Sequence, residues 1–290
     1  MSNLPFLLWI TAADLTESSW ETVEATMKMP RSQCASTVVG NRLFIFGGAN
    51  KGGNETPSAE VFGDGTMKML PERMPTARRG CVAVVVDDRI VVIGGLDGGS
   101  DANYSDSEDL EDSDEDYDNP LDCVEAMDLE TMNWSTLSSM KTARHGCCAG
   151  VVGGFVIVAG GFDESEELSS AELYNPSIQH WMDLPDMNFP HYHGAMAVVG
   201  KKAYVFGGRE QKSVEVFDLE THTWTTLPPM SIEREGCAAV AVGNFIVVVG
   251  GGSDIVEIFD VETHTWSRLQ NLPEAREYCA AGLVGNRILV

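Results

Sequence analysis

The sequence predicts an all-β protein built from one antiparallel sheet repeated along the chain. Three observations in a common register predict it: apolar strands that stop at paired glycines, a tryptophan at a fixed place after them, and an arginine-bearing segment that opens the next unit. The glycine pairs follow "FIF" at Gly47 and Gly48, "VVI" at Gly94 and Gly95, "VIVA" at Gly160 and Gly161, "YVF" at Gly207 and Gly208, and "VVV" at Gly250 and Gly251. Successive pairs are separated by 47, 66, 47 and 43 residues. The one long step holds the acidic tract "SDSEDLEDSDEDYD", which therefore sits inside a repeat as a loop insertion and is no linker between domains.

The aromatic series keeps the same register. Trp134, Trp181, Trp224 and Trp266 each lie seven residues after Met127, Tyr174, Phe217 and Phe259, and three residues before Leu137, Leu184, Leu227 and Leu269. Then "TARRGC", "TARHGC", "IEREGC" and "EAREYC" open the next unit. Glycine without a Cβ takes positive φ and lets a neighbouring sheet approach the end of a strand. A buried Trp or Tyr contributes roughly 4–6 kcal/mol at about 25 cal/mol per Å², an upper bound, which suits packing between successive sheets. Met67 in place of Trp and Met127 in place of Tyr or Phe keep the same positions apolar but softer.

Two alternating strands, a Gly-Gly stop, a strand with an aromatic residue and a Trp strand resemble the Kelch repeat, the blade of a Kelch β-propeller. The resemblance covers essentially the whole chain. At the ends, "AADLTESSW" matches "FDLETHTW", placing Ala13, Asp14 and Leu15 on Phe217, Asp218 and Leu219, while "EYCAAGLVGNRILV" matches "EGCAAVAVGNFIVV". The N-terminus then supplies the outer half of a blade and the C-terminus the inner half. The fold class expected is an all-β, six-bladed Kelch-type β-propeller with four antiparallel strands per blade. It forms one domain over residues 1–290, its last blade closed by N- and C-terminal strands. The apolar start "LPFLLWITAA" is expected to be an outer-blade strand, with no Lys or Arg before it to suggest a signal peptide. The chain stops at Val290 ahead of any glycine pair, so ring closure is the expected weak point and a C-terminal truncation stays open.

A formal charge of −25 argues against nucleic acid and anionic membrane surfaces as partners and favours basic or neutral ones. No stretch approaches a membrane span. The expected compartment is the cytoplasm, with the nucleus as the alternative. Of seven cysteines, Cys34, Cys81, Cys147, Cys237 and Cys279 share one repeat position, with Ala195 in the sixth place. Symmetry spreads them around the ring, too far apart for disulfides, and no C-x-x-C is present, so reduced, buried thiols are expected and no metal.

The loop before the inner strand and the loop after the glycine pair emerge on one face, and in Kelch domains that recognise peptides this resembles the binding face. Arg31, Arg78, Arg144, Arg234 and Arg276 recur there, with Tyr192 in blade four, and read best as scaffold holding backbone carbonyls. The next position varies: Ser32, Arg79, His145, His193, Glu235 and Glu277. With Asn50 and Arg209 from neighbouring loops, these are the candidate partner-binding residues.

The insertion at 97–119 leaves the same face and carries ten carboxylates from Asp101 to Asp118 without a Lys or Arg, a composition that predicts disorder. It lacks the spacing of a calcium loop. It reads either as a solvated loop or as a segment that attracts basic partners or competes for the mouth. Ser105 and Ser113 each precede an acidic residue by three positions, the pattern of an acid-directed kinase.

Kelch-like propellers include copper oxidases, sugar epimerases and iron-dependent specifier proteins, so catalysis was weighed residue by residue. The specifier pattern E-x-x-x-D-x-x-x-H fails, because Val214 and Val256 stand where glutamate is needed before Asp218 with His222 and Asp260 with His264. His145, His191 and His193 could meet around a metal, but read better as ordinary mouth residues. No catalytic residue and no cofactor is assigned. The function expected is a protein-interaction module for a protein or peptide, with its oligomeric state open. One alternative is a substrate receptor of a ubiquitin ligase, although strands begin almost at Met1 and leave no BTB or F-box segment. The other is a propeller enzyme acting on a sugar or small metabolite.

Overall fold

The computed structural model describes residues 6–11, 20–98 and 119–290. Alternating apolar residues and tight turns give four-stranded antiparallel meanders, five of them continuous in sequence. Blade one comprises Ala35–Val39, Arg42–Phe46, Ala59–Gly63 and Thr66–Met69. Blade two comprises Val82–Val86, Arg89–Ile93, Val124–Asp128 and Trp134–Thr136; blade three, Cys148–Val152, Phe155–Ala159, Ala171–Asn175 and His180–Asp183. Blade four comprises Ala195–Val199, Lys202–Gly208, Gln211–Asp218 and Thr223–Leu227; blade five, Cys237–Val242, Phe245–Gly250, Glu257–Asp260 and Thr265–Arg268.

The two ends of the chain combine into one further four-stranded sheet, in the order Glu21–Thr26, Phe6–Thr11, Arg287–Leu289, Gly282–Val284. It lies between blades five and one: Trp20, Ile288 and Val290 pack with Val247 and Val249, while Ala25 and Leu289 pack with Leu43 and Phe62. The register differs from the sequence expectation. Thr11 stands opposite Arg287 as Asp218 stands opposite Lys202, so Thr11 occupies the place assigned to Asp14. The connection to Trp20 is correspondingly longer than in the other blades, and residues 13–15 lie outside the described residues.

Each blade packs its aromatic pair on the blade before it. Tyr174 and Trp181 join the core of blade two, and Phe259 and Trp266 join that of blade four. The indole N–H groups fasten these seams: Trp181 donates to the Ser138 carbonyl at 2.8 Å, Trp224 to Pro185 at 2.8 Å, Trp266 to Pro228 at 2.8 Å and Trp20 to Gln270 at 2.9 Å. Met67 fills the Trp position of blade one, buried but with no N–H to donate.

The recurrent arginine forms the deepest feature of the blade. Arg31, Arg78 and Arg144 each donate through Nη1 to the carbonyl of the first glycine of their own blade, at 2.9 Å, and Arg234 does the same. Each also pairs with a buried glutamate of the third strand: Arg31 with Glu60 (2.8 Å), Arg78 with Glu125 (2.8 Å), Arg144 with Glu172 (2.9 Å) and Arg234 with Glu257 (2.9 Å). The arginine carbonyl in turn accepts from the second glycine of the preceding blade, as in Gly48 N–H to Arg78 O at 2.8 Å and Gly95 N–H to Arg144 O at 3.0 Å. Gly48 has φ +90, and a Cβ there would stand 2.6 Å from the Ser32 carbonyl, so only glycine fits.

Blade four corrects the expected register by one residue. His191, not Tyr192, fills the arginine place: its Nδ1 faces the Gly207 carbonyl, its Nε2 lies 3.2 Å from Glu215, and its own carbonyl accepts from Gly161 N–H at 2.9 Å. Ala195 pairs with Phe206 as Ala35 pairs with Phe46, so Gly194, not Ala195, is the counterpart of the cysteines. All seven cysteines are free. Burial pushes Cys81 and Cys237 up to about 12 and Cys147 and Cys279 up to about 11, which keeps these thiols protonated at neutral pH.

Removing one member of a buried pair strands the other charge. Arg144→Ala is expected to lower the unfolding free energy by about 3–5 kcal/mol in urea denaturation. Replacing Arg144 and Glu172 together by Met and Leu costs less, because no charge is left behind.

Candidate recognition mouth

The inner strands of all six sheets surround a central cavity of about 600 Å³, lined by Cys34, Cys81, Cys147, Cys237 and Cys279 among small apolar residues. At one end the chain makes a left-handed turn in each four-stranded sheet, two residues after the recurrent arginine or His191: Gln33, Gly80, Gly146, His193, Gly236 and Tyr278 all have φ between +50 and +67. Their backbones link from sheet to sheet, Gly80 N–H to Gln33 O at 2.8 Å, Gly146 to Gly80 at 2.7 Å, His193 to Gly146 at 2.8 Å and Gly236 to His193 at 2.8 Å. His193 therefore belongs to this turn position and was misplaced among the variable residues. The variable residue of blade four is Tyr192.

That variable residue is held at the rim by backbone pairing with the residue after the glycine pair. Ser32 pairs with Ala49, Arg79 with Leu96 and His145 with Phe162, while Arg209 N–H donates to the Tyr192 carbonyl at 2.8 Å. The two loop sets thus share one face. Leu96 also begins a short ribbon in which Asp97 pairs with Asn119 and Leu96 with Pro120. The acidic tract springs from this ribbon beside Arg79, and residues 99–118, with the expected disorder and both serines, lie outside the described residues.

The eight candidate residues divide into two groups. On blades one and two, Arg79 is ion-paired with Glu55 at 2.7 Å, Ser32 holds its backbone bridge, and Asn50 Oδ1 accepts from Gly52 N–H within its own loop. On blades three to five and the composite sheet an aromatic cluster fills the mouth. His145 Nε2 and the Tyr192 hydroxyl are 2.9 Å apart; Tyr192 and His193 rings lie 4.0 Å apart, His193 and Tyr278 rings 4.9 Å, and Phe162 and Tyr192 rings 5.4 Å. The Tyr278 hydroxyl donates to Glu235 at 2.7 Å. Arg209 is exposed with Glu167 3.7 Å away, and Glu277 is exposed beside Tyr278.

Sequence reasoning missed Phe162, Tyr192 and Tyr278. Tyr278 was legible as the one departure from glycine in "EAREYC" among the aligned motifs. His145, His191 and His193 do not converge: His191 is built into the buried pair with Glu215, and no cluster of three His, Cys, Asp or Glu arranged for a metal occurs among the described residues. Burial, with the neighbouring His145, pulls His193 down to about 3, so its ring is neutral at physiological pH. Burial raises the Tyr278 hydroxyl, and its hydrogen bond to Glu235 adds to that.

The family model described as the KLHDC2/KLHL20/DRC7 Kelch-repeats domain matches residues 7–190 and 124–290. An F-box/kelch-repeat protein of Arabidopsis thaliana is 36% identical over 135 residues, 42% of this chain and 32% of that protein. Kelch-like protein 28 of Homo sapiens is 30% identical over 96 residues, 29% of this chain and 17% of that one. The matched segments thus span a third or less of these relatives. The structure of YjhT shares the fold, with a TM-score of 0.72 at 15% identity over 90% of this chain and 89% of that one.

A histidine held at about 3 in the fold and near 6.5 in the unfolded chain takes up its proton on unfolding. Its contribution to stability is complete above pH 6.5 and declines as the pH falls toward 3. Between pH 6.5 and 5, above the carboxylate range, a slope rising from about 0.7 toward about 1.4 kcal/mol per pH unit is expected in denaturation curves, and His193→Gln flattens it. Gly146→Ala is expected to cost at least about 1 kcal/mol by the same measurement, because a left-handed alanine is strained. Its Cβ would also stand 2.7 Å from the Tyr192 ring.

Proposed function

Because this chain belongs to the Kelch-repeat family, we propose that it is a protein-interaction module whose mouth holds a protein or peptide partner. In this reading the composite sheet is the sixth blade and closes the ring. One observation carries the proposal. Within a frame that repeats buried cation, glutamate and glycine pair in blade after blade, the rim position just after the cation holds Ser32, Arg79, His145, Tyr192, Glu235 and Glu277. Five different side-chain types on six equivalent positions serve no common structural need, and variation within a repeated frame is where recognition resides.

The partner is a basic segment. The net charge of −25 repels polyanions, so neither nucleic acid nor an anionic membrane is part of this reading. The protein works in the cytoplasm or nucleus, without a cofactor and without catalysis. A narrower second reading, substrate reception for a ubiquitin ligase, is favoured by the similarity to an F-box/kelch-repeat protein, of which this chain covers about a third.

The test is affinity purification from the source cells with mass spectrometry, comparing wild type with a variant carrying Arg79→Ala, Arg209→Ala and Glu277→Ala. None of these side chains belongs to the buried frame, and circular dichroism checks that the variant folds. Specific proteins recovered with wild type and reduced roughly tenfold with the variant are expected. Equal recovery with both forms places recognition elsewhere, and ligase subunits among the recovered proteins would favour the narrower reading.

A further inference from the structure

Within the recognition surface proposed above, and resting on that reading, we infer that the corner formed by Tyr192, His193, Tyr278, Glu235 and Glu277 seats a cationic side chain of the partner. An arginine guanidinium or a lysine ammonium fits this chemistry. The rings come from two different sheets, with Glu235 supplied by a third, and they do not stack flat. Tyr192 and His193 lie 37° apart, whereas His193 and Tyr278 meet nearly edge-on at 82°. The arrangement is an angled platform, with Tyr192 and Tyr278 only half-buried and His193 forming its floor. Aromatic faces carry partial negative charge and attract a cation within about 6 Å.

Two carboxylates complete the corner. Glu235 accepts the Tyr278 hydroxyl at 2.7 Å, a bond that fixes the tyrosine ring and places the carboxylate at its edge. Glu277 adjoins it and is exposed. The floor adds no opposing charge, since burial keeps His193 neutral. The loop beyond Phe162 contributes Asp163, Glu164, Glu166 and Glu167, with Arg209 lying 3.7 Å from Glu167. A cation arriving here meets aromatic surface on one side and a cluster of carboxylates on the other, which is charge complementarity for a basic segment and repulsion for an acidic one.

The test uses a peptide with a single arginine between glycines, ends blocked, and its citrulline counterpart, which keeps the shape and removes the charge. Titrations of the isotope-labelled full chain are followed by amide NMR at physiological salt. The arginine peptide is expected to shift the signals of His193, Gly236 and Tyr278 saturably, and the citrulline peptide to leave them in place. Glu235→Gln still accepts the Tyr278 hydroxyl but lacks the charge, and is expected to weaken binding about three- to tenfold. Glu277→Gln, at an exposed position outside the frame, serves as a second variant with the same expected direction. Deletion of residues 99–118 is expected to leave these shifts intact. Equal response to citrulline, unchanged affinity in both variants, or loss of binding with that deletion would overturn the assignment. Because the peptide is read directly on the protein, its failure beside partners that still co-purify through the mouth removes the cation seat alone. Failure of co-purification bears on the interaction module itself.

Discussion

One buried basic side chain per blade, set between a glycine carbonyl and a third-strand glutamate, is the constraint on which the rest of the structure hangs. A guanidinium taken out of water costs several kcal/mol unless its donors and its counter-charge are all in place. Arg144 meets most of that demand through its two terminal nitrogens, with Gly160 O, Ser170 and Glu172, while its Nε has no hydrogen-bond partner; Glu172 is satisfied in turn by the backbone N–H groups of Lys141 and Thr142. The arginine therefore ties the incoming loop, the strand end and the third strand to one point. Its own carbonyl, accepting from the preceding blade, carries the tie across the seam.

The mouth rides on that tie. The variable residue follows the buried cation immediately, and the left-handed turn residue follows that one, so both are placed by a group that cannot move without exposing a charge. Glycine at the turn leaves the mouth open in blades two, three and five; Gln33, His193 and Tyr278 send side chains into it instead. The two aromatic exceptions, with Tyr192 packed on His193, give this mouth its asymmetry: ion-paired Arg79 and Glu55 on one side, rings and carboxylates on the other.

Histidine as a substitute for arginine in blade four follows the same logic. Both ring nitrogens of His191 face oxygen atoms, Gly207 O and a Glu215 carboxylate oxygen, as the arginine's nitrogens do in the other blades. Burial raises Glu215, but the hydrogen bonds from His191, Asn188 and the Phe189 backbone outweigh it and hold the carboxyl below its ordinary value. The backbone of "HYHG" keeps the spacing of "RHGC" in blade three, so the histidine starts from the arginine's place.

The sequence by itself determined the blade, its repeat and the face shared by two loop sets. These are consequences of local chemistry: only glycine tolerates the close approach at a strand end, only large rings fill the space between sheets, and alternation assigns each strand its faces. The recurring arginine was legible as scaffold for the same reason. Its glutamate partners Glu60, Glu125, Glu172, Glu215 and Glu257 were not, because a lone glutamate in an apolar strand gives no sign of what lies opposite. Nor was the position of His191, since "HYHGA" aligns equally well one residue either way until strand pairing sets Ala195 against Phe206. The aromatic corner was the least accessible of all. Phe162, Tyr192 and Tyr278 are far apart in the chain and come from different sheets, and their meeting is decided by the curvature of the ring, which brings successive turns within hydrogen-bonding distance.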